Sequence, residues 1–125
     1  MSEPKTILVA TNDSETEREL TNVLTEGYIV RTVESSSEAL LTLLEKDIDL
    51  IVIDLSIDGM TGLETIPIIR RTRPKIPLIV LSDDDSVETG SKVAQEGVFY
   101  YALKPLNAAE LEQVAKAALK SSTKS

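Results

Sequence analysis

Five short apolar runs, spaced between stretches of helical periodicity, set the frame of this chain. Ile51-Val52-Ile53 is unbroken by any polar residue, the pattern of a central strand buried on both faces, where in-out alternation disappears. Thr6 to Ala10 and Leu78 to Leu81 read the same way. Tyr28 to Val33 is more polar through Arg31 and Thr32, which predicts an edge position. Val98 to Leu103 completes the set. Between them, Leu20, Val23 and Leu24 recur at helical spacing, as do Ala39, Leu40, Leu43 and Leu44, then Ile66 and Ile69, then Val87, Val93 and Ala94. The last helix carries a clean stripe at Leu111, Val114, Ala115, Ala118 and Leu119. Gly27 and Gly97 stand where helix ends need a left-handed residue.

Each expected helix start pairs a short polar residue with an acid three positions on: Ser14 with Glu17, Ser35 with Glu38, Thr61 with Glu64, Asp85 with Glu88, Asn107 with Glu110. That is the capping pattern, in which the first side chain accepts from a backbone N–H and the acid returns the bond. Pro67 is the misfit. A helix begun at Thr61 would need the N–H that proline lacks, which predicts a kink or a later start. Five strands alternating with five helices imply an α/β domain, a parallel sheet covered on both faces. At 125 residues the chain is too short for an eight-fold barrel. The expected solution is a flavodoxin-like, doubly wound five-stranded sheet in the order 2-1-3-4-5 with five helices. That order comes from precedent, not from the periodicity. The domain is expected over 1–120, with a frayed tail at 121–125.

Composition narrows the function classes. Thirteen basic residues against twenty-one acidic give a net charge of −8, which argues against a nucleic-acid surface. Arg70, Arg71, Arg73 and Lys75 cluster at an expected helix C-terminus, where cations offset the dipole. There is no cysteine, so disulfides and thiolate metal sites are out. No apolar stretch approaches the roughly 20 residues that span a bilayer, and Met1 to Lys5 lacks the apolar core of a signal peptide. The expectation is a cytoplasmic protein without membrane contact.

The candidate chemistry lies at strand ends. Asp54 ends the third strand, Ser82 the fourth, and Lys104-Pro105 follows the fifth. In a parallel sheet these meet at one rim, where ligands of open α/β sheets collect. A carboxylate nucleophile, a hydroxyl and an ammonium together suit an aspartyl-phosphate site. Each alone reads as a turn former, a helix-entry residue or a solvated charge.

With Ile7-Leu8-Val9, Asp54…Gly59…Gly62-Leu63, Pro77 to Ser82 and Tyr101-Ala102-Leu103-Lys104-Pro105, the chain resembles the receiver domain of two-component response regulators over nearly its whole length. The resemblance implies a signalling module, not an enzyme, that accepts a phosphoryl group on Asp54 from a sensor histidine kinase or phosphotransfer protein. It implies Ser82 as switch hydroxyl, Lys104 as phosphate-binding lysine and Tyr101 as the aromatic whose burial follows activation. It further implies a cis Lys104–Pro105 bond, and a downstream protein target on the face of the fourth helix, fifth strand and fifth helix. For Mg²⁺ it implies Asp54 and the Ser56 carbonyl. The family's two metal-holding acids, however, align with Thr11 and Asn12. Asn12 offers an amide oxygen, and Asp13, one residue late, is a substitute. Weak Mg²⁺ binding is therefore expected. The alternative is a receiver-like binding module that acts without phosphorylation. Asp83-Asp84-Asp85 is expected as a solvated, helix-capping run, although it sits at the same rim.

Overall fold

The computed structural model describes residues 4–24 and 26–121. The elements alternate as β1 (Lys5–Ala10), α1 (Ser14–Leu24), β2 (Tyr28–Val33), α2 (Ser36–Glu45), β3 (Leu50–Asp54), α3 (Gly62–Thr72), β4 (Leu78–Ser82), α4 (Val87–Gln95), β5 (Tyr100–Leu103) and α5 (Ala108–Ser121). All strand pairs are parallel, and the sheet order is β2-β1-β3-β4-β5. The doubly wound reading holds, with the polar strand β2 at one edge. β5 is shorter than its apolar run, since Val98 and Phe99 precede it; the Phe99 N–H still reaches across, to the Leu78 carbonyl at 2.8 Å. Ser121 completes α5, and residues 122–125 of the expected tail lie outside the described residues, as do 1–3 of the N-terminus.

The continuous apolar runs arise because both faces of the sheet are covered. Alternate residues of each strand feed opposite cores. Ile7, Val9, Leu50, Val52, Ile79 and Leu81 pack with α1 and α5. Leu8, Ala10, Ile51, Ile53, Leu78 and Val80 pack with α2, α3 and α4. β3 and β4 are buried at every position. This two-step parity also decides which rim residues meet.

The helix starts follow the capping pattern, with two shifts. Ser35, Thr61 and Asn107 accept from the N–H of Glu38, Glu64 and Glu110, and at Thr61 the box is complete. For α4 the cap is Ser86, not Asp85: the Asp84 carboxylate takes the Ser86 N–H and the Thr89 hydroxyl and advances the turn by one residue. For α1 the helper is Asp13, whose carboxylate accepts from the Glu15 N–H and the Thr16 hydroxyl. Of the two outcomes expected at Pro67, a kink or a later start, the later start does not occur: α3 begins directly after Thr61 and runs through Pro67. The complete box and fully buried Ile66 and Ile69 anchor it on both sides of the lost bond. The basic cluster is structural in part. Arg70 donates to the carbonyls of Ile76, Glu96 and Gly97, and Arg73 to that of Leu43. Burial lowers the Arg70 pKa, opposed by the charge of Glu96.

Candidate functional site

The carboxyl ends of β1, β3 and β5 bring four side chains to one point. Asp54 belongs to the parity of Leu50 and Val52, which face α1 and α5. Thr11 continues the parity of Ile7 and Val9, its N–H bonded to the Val33 carbonyl at 3.0 Å. Lys104 continues that of Ala102, its N–H on the Ser82 carbonyl at 2.8 Å. All three therefore project to the same side of the sheet. Lys104 Nζ reaches Asp54 Oδ2 at 2.7 Å and Asp13 Oδ2 at 3.5 Å.

Asp54 is 1% exposed and accepts four hydrogen bonds. Oδ2 takes the Thr11 hydroxyl at 2.9 Å as well as Lys104. Oδ1 takes the Ser56 hydroxyl at 2.9 Å and the Ser56 N–H at 3.1 Å. Four donors fill the lone-pair capacity of a carboxylate, which offsets the cost of burying so polar a group here. Lys104 feels opposing influences. Burial would lower its pKa, but the hydrogen bond and charge of Asp54, with a smaller share from Asp13, hold it above its ordinary value. Asp13 is held below the usual carboxylate range, first by the Thr16 hydroxyl; desolvation opposes this, and the Glu15 N–H and Lys104 add to the lowering.

Ser82 lies on the other parity, that of Leu78 and Val80, facing α3 and α4. Its hydroxyl accepts from the Asp84 N–H at 2.9 Å, so it is engaged with the β4–α4 loop instead of with Asp54. The Tyr101 hydroxyl donates to the Asp84 carbonyl at 3.0 Å, and the ring is half-buried. The Asn12 amide is also drawn off: its Nδ2 donates to Asp58 Oδ1 at 2.7 Å. Asp58 is itself tied to the β2–α2 segment, its N–H on the Glu34 carbonyl and its carbonyl accepting from Ser36. The Lys104–Pro105 peptide is cis. Asp83, Asp84 and Asp85 are exposed, and the Asp84 carboxylate is spent on the start of α4; the Thr89 and Ser86 hydrogen bonds lower its pKa.

Two participants escape the reading of the sequence: the Thr11 hydroxyl as a direct donor to Asp54, and the Ser56 side chain. Ser56 had a signal, since an Asp followed two residues later by a donor is the local Asx arrangement. Thr11 had none beyond its place after β1.

A profile of the response regulator receiver domain matches residues 7–116. The chain belongs to the response regulator receiver family. Among similar proteins is the DNA-binding transcriptional regulator NtrC of Azospirillum brasilense, 36% identical over 119 residues, which cover 94% of this chain and 25% of that protein. The transcriptional regulatory protein GlrR of Escherichia coli is 35% identical over 97 residues, 78% of this chain and 22% of that one. The receiver domain thus spans about a quarter of the length of these relatives. Among solved structures, a CheY-like receiver domain from Methanospirillum hungatei superposes with a TM-score of 0.86 at 25% identity, covering 93% of this chain and 94% of that one. NtrX from Brucella abortus superposes at 0.85 and 26% identity, covering 94% and 27%.

Receiver domains of this family typically bind Mg²⁺ for phosphorylation, and the donors present are of the right kind for a weakly held ion. Asp13, Asp54, the Asn12 amide oxygen and the Ser56 carbonyl are all hard oxygens. Only Asp13 and Asp54 are charged, and both already face Lys104. No group of three His, Cys, Asp or Glu residues that could hold a metal occurs among the described residues. Nor is any described helix long and apolar enough to cross a membrane.

Proposed function

We propose that this receiver domain, a signalling module and not an enzyme, accepts a phosphoryl group on Asp54 from a phosphohistidine of a sensor kinase or phosphotransfer protein. One observation carries the reading: a buried carboxylate lies 2.7 Å from a lysine at the carboxyl rim of a parallel sheet, in a chain of the receiver family. In the reaction an Asp54 oxygen attacks phosphorus, the P–N bond breaks, and the imidazole leaves with the electron pair. Before attack that oxygen must shed a donor, because all four of its carboxylate's acceptor positions are taken. Lys104 then follows the charge from the carboxylate to the phosphoryl oxygens. A small cleft of about 130 Å³ lined by Asp13, Thr16, Lys104 and Pro105 opens beside it. Mg²⁺, when bound by Asp13, Asp54, Asn12 and the Ser56 carbonyl, supplies further positive charge for those oxygens.

Ser82 would complete the switch by leaving the Asp84 N–H for a phosphoryl oxygen. Asp84 also accepts from Tyr101, so that exchange loosens the tyrosine at the β4–α4 loop and alters the face of α4, β5 and α5 offered to a downstream protein. On that face Val87 and Leu103 are exposed. We assign the domain to residues 1–120 and its setting to the cytoplasm. The second reading, a binding module that works without phosphorylation, draws on the saturation of Asp54 by the protein's own donors.

Intact mass after incubation with a small phosphoryl donor and Mg²⁺ separates the two. The parent protein should gain one phosphoryl group and Asp54→Asn none. No adduct on the parent at high Mg²⁺ would favour the second reading.

A further inference from the structure

Thr11 makes two bonds with one hydroxyl. It donates its only proton to Asp54 Oδ2 at 2.9 Å and accepts the Asp13 N–H at 3.1 Å. With Lys104 these bonds close a ring: the Asp13 N–H to Thr11, Thr11 to Asp54 Oδ2, Lys104 to that same oxygen, and Lys104 to Asp13 Oδ2. Thr11 is 1% exposed, and its backbone is fixed to β2 through Val33. Rotating the hydroxyl away would leave Asp54 one donor short.

We propose that the Thr11 hydroxyl is the positioning group for Asp54, standing where a cation would otherwise hold that carboxylate, and that Mg²⁺ gains the oxygen only by displacing it. An acid at residue 11 could not do this. It would bring a second negative charge beside Asp54 in place of a proton donor, and would need the ion to offset the repulsion. Thr11 removes that need, so the pocket rests in a state the protein satisfies alone, and the metal competes with a side chain instead of filling a gap. Only the consequence for phosphoryl transfer rests on Asp54 being the phosphoacceptor; the competition itself does not.

The test is an Mg²⁺ titration of the whole chain, followed by backbone amide shifts of the β1–α1 and β3–α3 loops. Thr11→Val keeps the shape and removes the competitor, so its midpoint should fall about threefold to tenfold, the range one net hydrogen bond carries in an equilibrium. Thr11→Ser should stay within about twofold of the parent, because it keeps the donor. Loosened structure alone would move Thr11→Val the opposite way, toward weaker binding. An unchanged or raised midpoint in Thr11→Val, or a Thr11→Ser midpoint that falls with it, overturns the proposal. In a parallel reaction with a small phosphoryl donor, the Mg²⁺ concentration that gives half the maximal rate should fall in Thr11→Val by about the same factor as the titration midpoint. A parent that is never phosphorylated would remove the functional reading while leaving the titration to decide the role of Thr11.

Discussion

Lys104→Met should destabilise the fold by about 2–3 kcal/mol at neutral pH, and slow phosphoryl transfer to Asp54 on the order of 100-fold. Removing one partner of a buried ion pair leaves an uncompensated charge, typically a loss of about 3–5 kcal/mol. Two features reduce that here. The lysine side chain is 18% exposed, against 1% for Asp54, and Asp54 keeps three other donors. The kinetic loss is of the size seen when one preorganised donor is removed from a site of developing charge. The pH dependence has a definite sign. Lys104 is held above its ordinary 10.5, so its contribution is complete below that pH and lost as pH rises through the higher folded value. Denaturant midpoints of parent and variant should therefore differ through the neutral range and converge above about 10.5. A constant difference up to strongly alkaline pH would mean the lysine acts through its packed stem, not its charge.

Gly62→Ala should destabilise by about 1–3 kcal/mol, where an alanine in a helix ordinarily helps. A Cβ at Gly62 would lie 2.6 Å from Leu55 Cα, 2.8 Å from Leu55 Cδ2 and 3.1 Å from the Asp54 carbonyl oxygen. Two of these are backbone atoms of the segment that carries the candidate nucleophile, so the start of α3 must move away from β3. The bond from the Gly62 N–H to the Leu55 carbonyl, at 3.2 Å, goes with it. Gly90→Ala is the matched control. It lies within α4, and its nearest neighbour would be the Tyr101 ring at 3.8 Å, an ordinary contact. It should stabilise by up to about 1 kcal/mol. Thermal unfolding of the two variants should give shifts of opposite sign; two shifts of the same sign would contradict the close approach at Gly62.

The sheet and the rim were legible in the sequence because burial on both faces erases alternation in β3 and β4 and capping residues mark the helix starts. Asp54 and Lys104 could be brought to one edge by their positions at strand ends alone. What strand ends do not state is the face. Asp54, Thr11 and Lys104 share one parity and Ser82 has the other, so the hydroxyl expected beside the carboxylate is instead engaged with Asp84. The one-residue shifts at Asp13 and Ser86 were hidden for a related reason. Runs such as Asp83 to Ser86 offer several short polar side chains, and the backbone turn, not the residue type, selects the cap. Pro67 inside α3 shows burial of Ile66 and Ile69 prevailing over a local penalty of about 3 kcal/mol.

The residue that carries the phosphoryl group is the centre of this account. Reducing the phosphorylated protein with borohydride converts an acyl-phosphate aspartate to homoserine, which peptide mass mapping then locates. Homoserine at residue 54 and nowhere else is the expected result. Homoserine at residue 13 or 58, or none after exposure to both a small donor and a phosphohistidine protein, would contradict it.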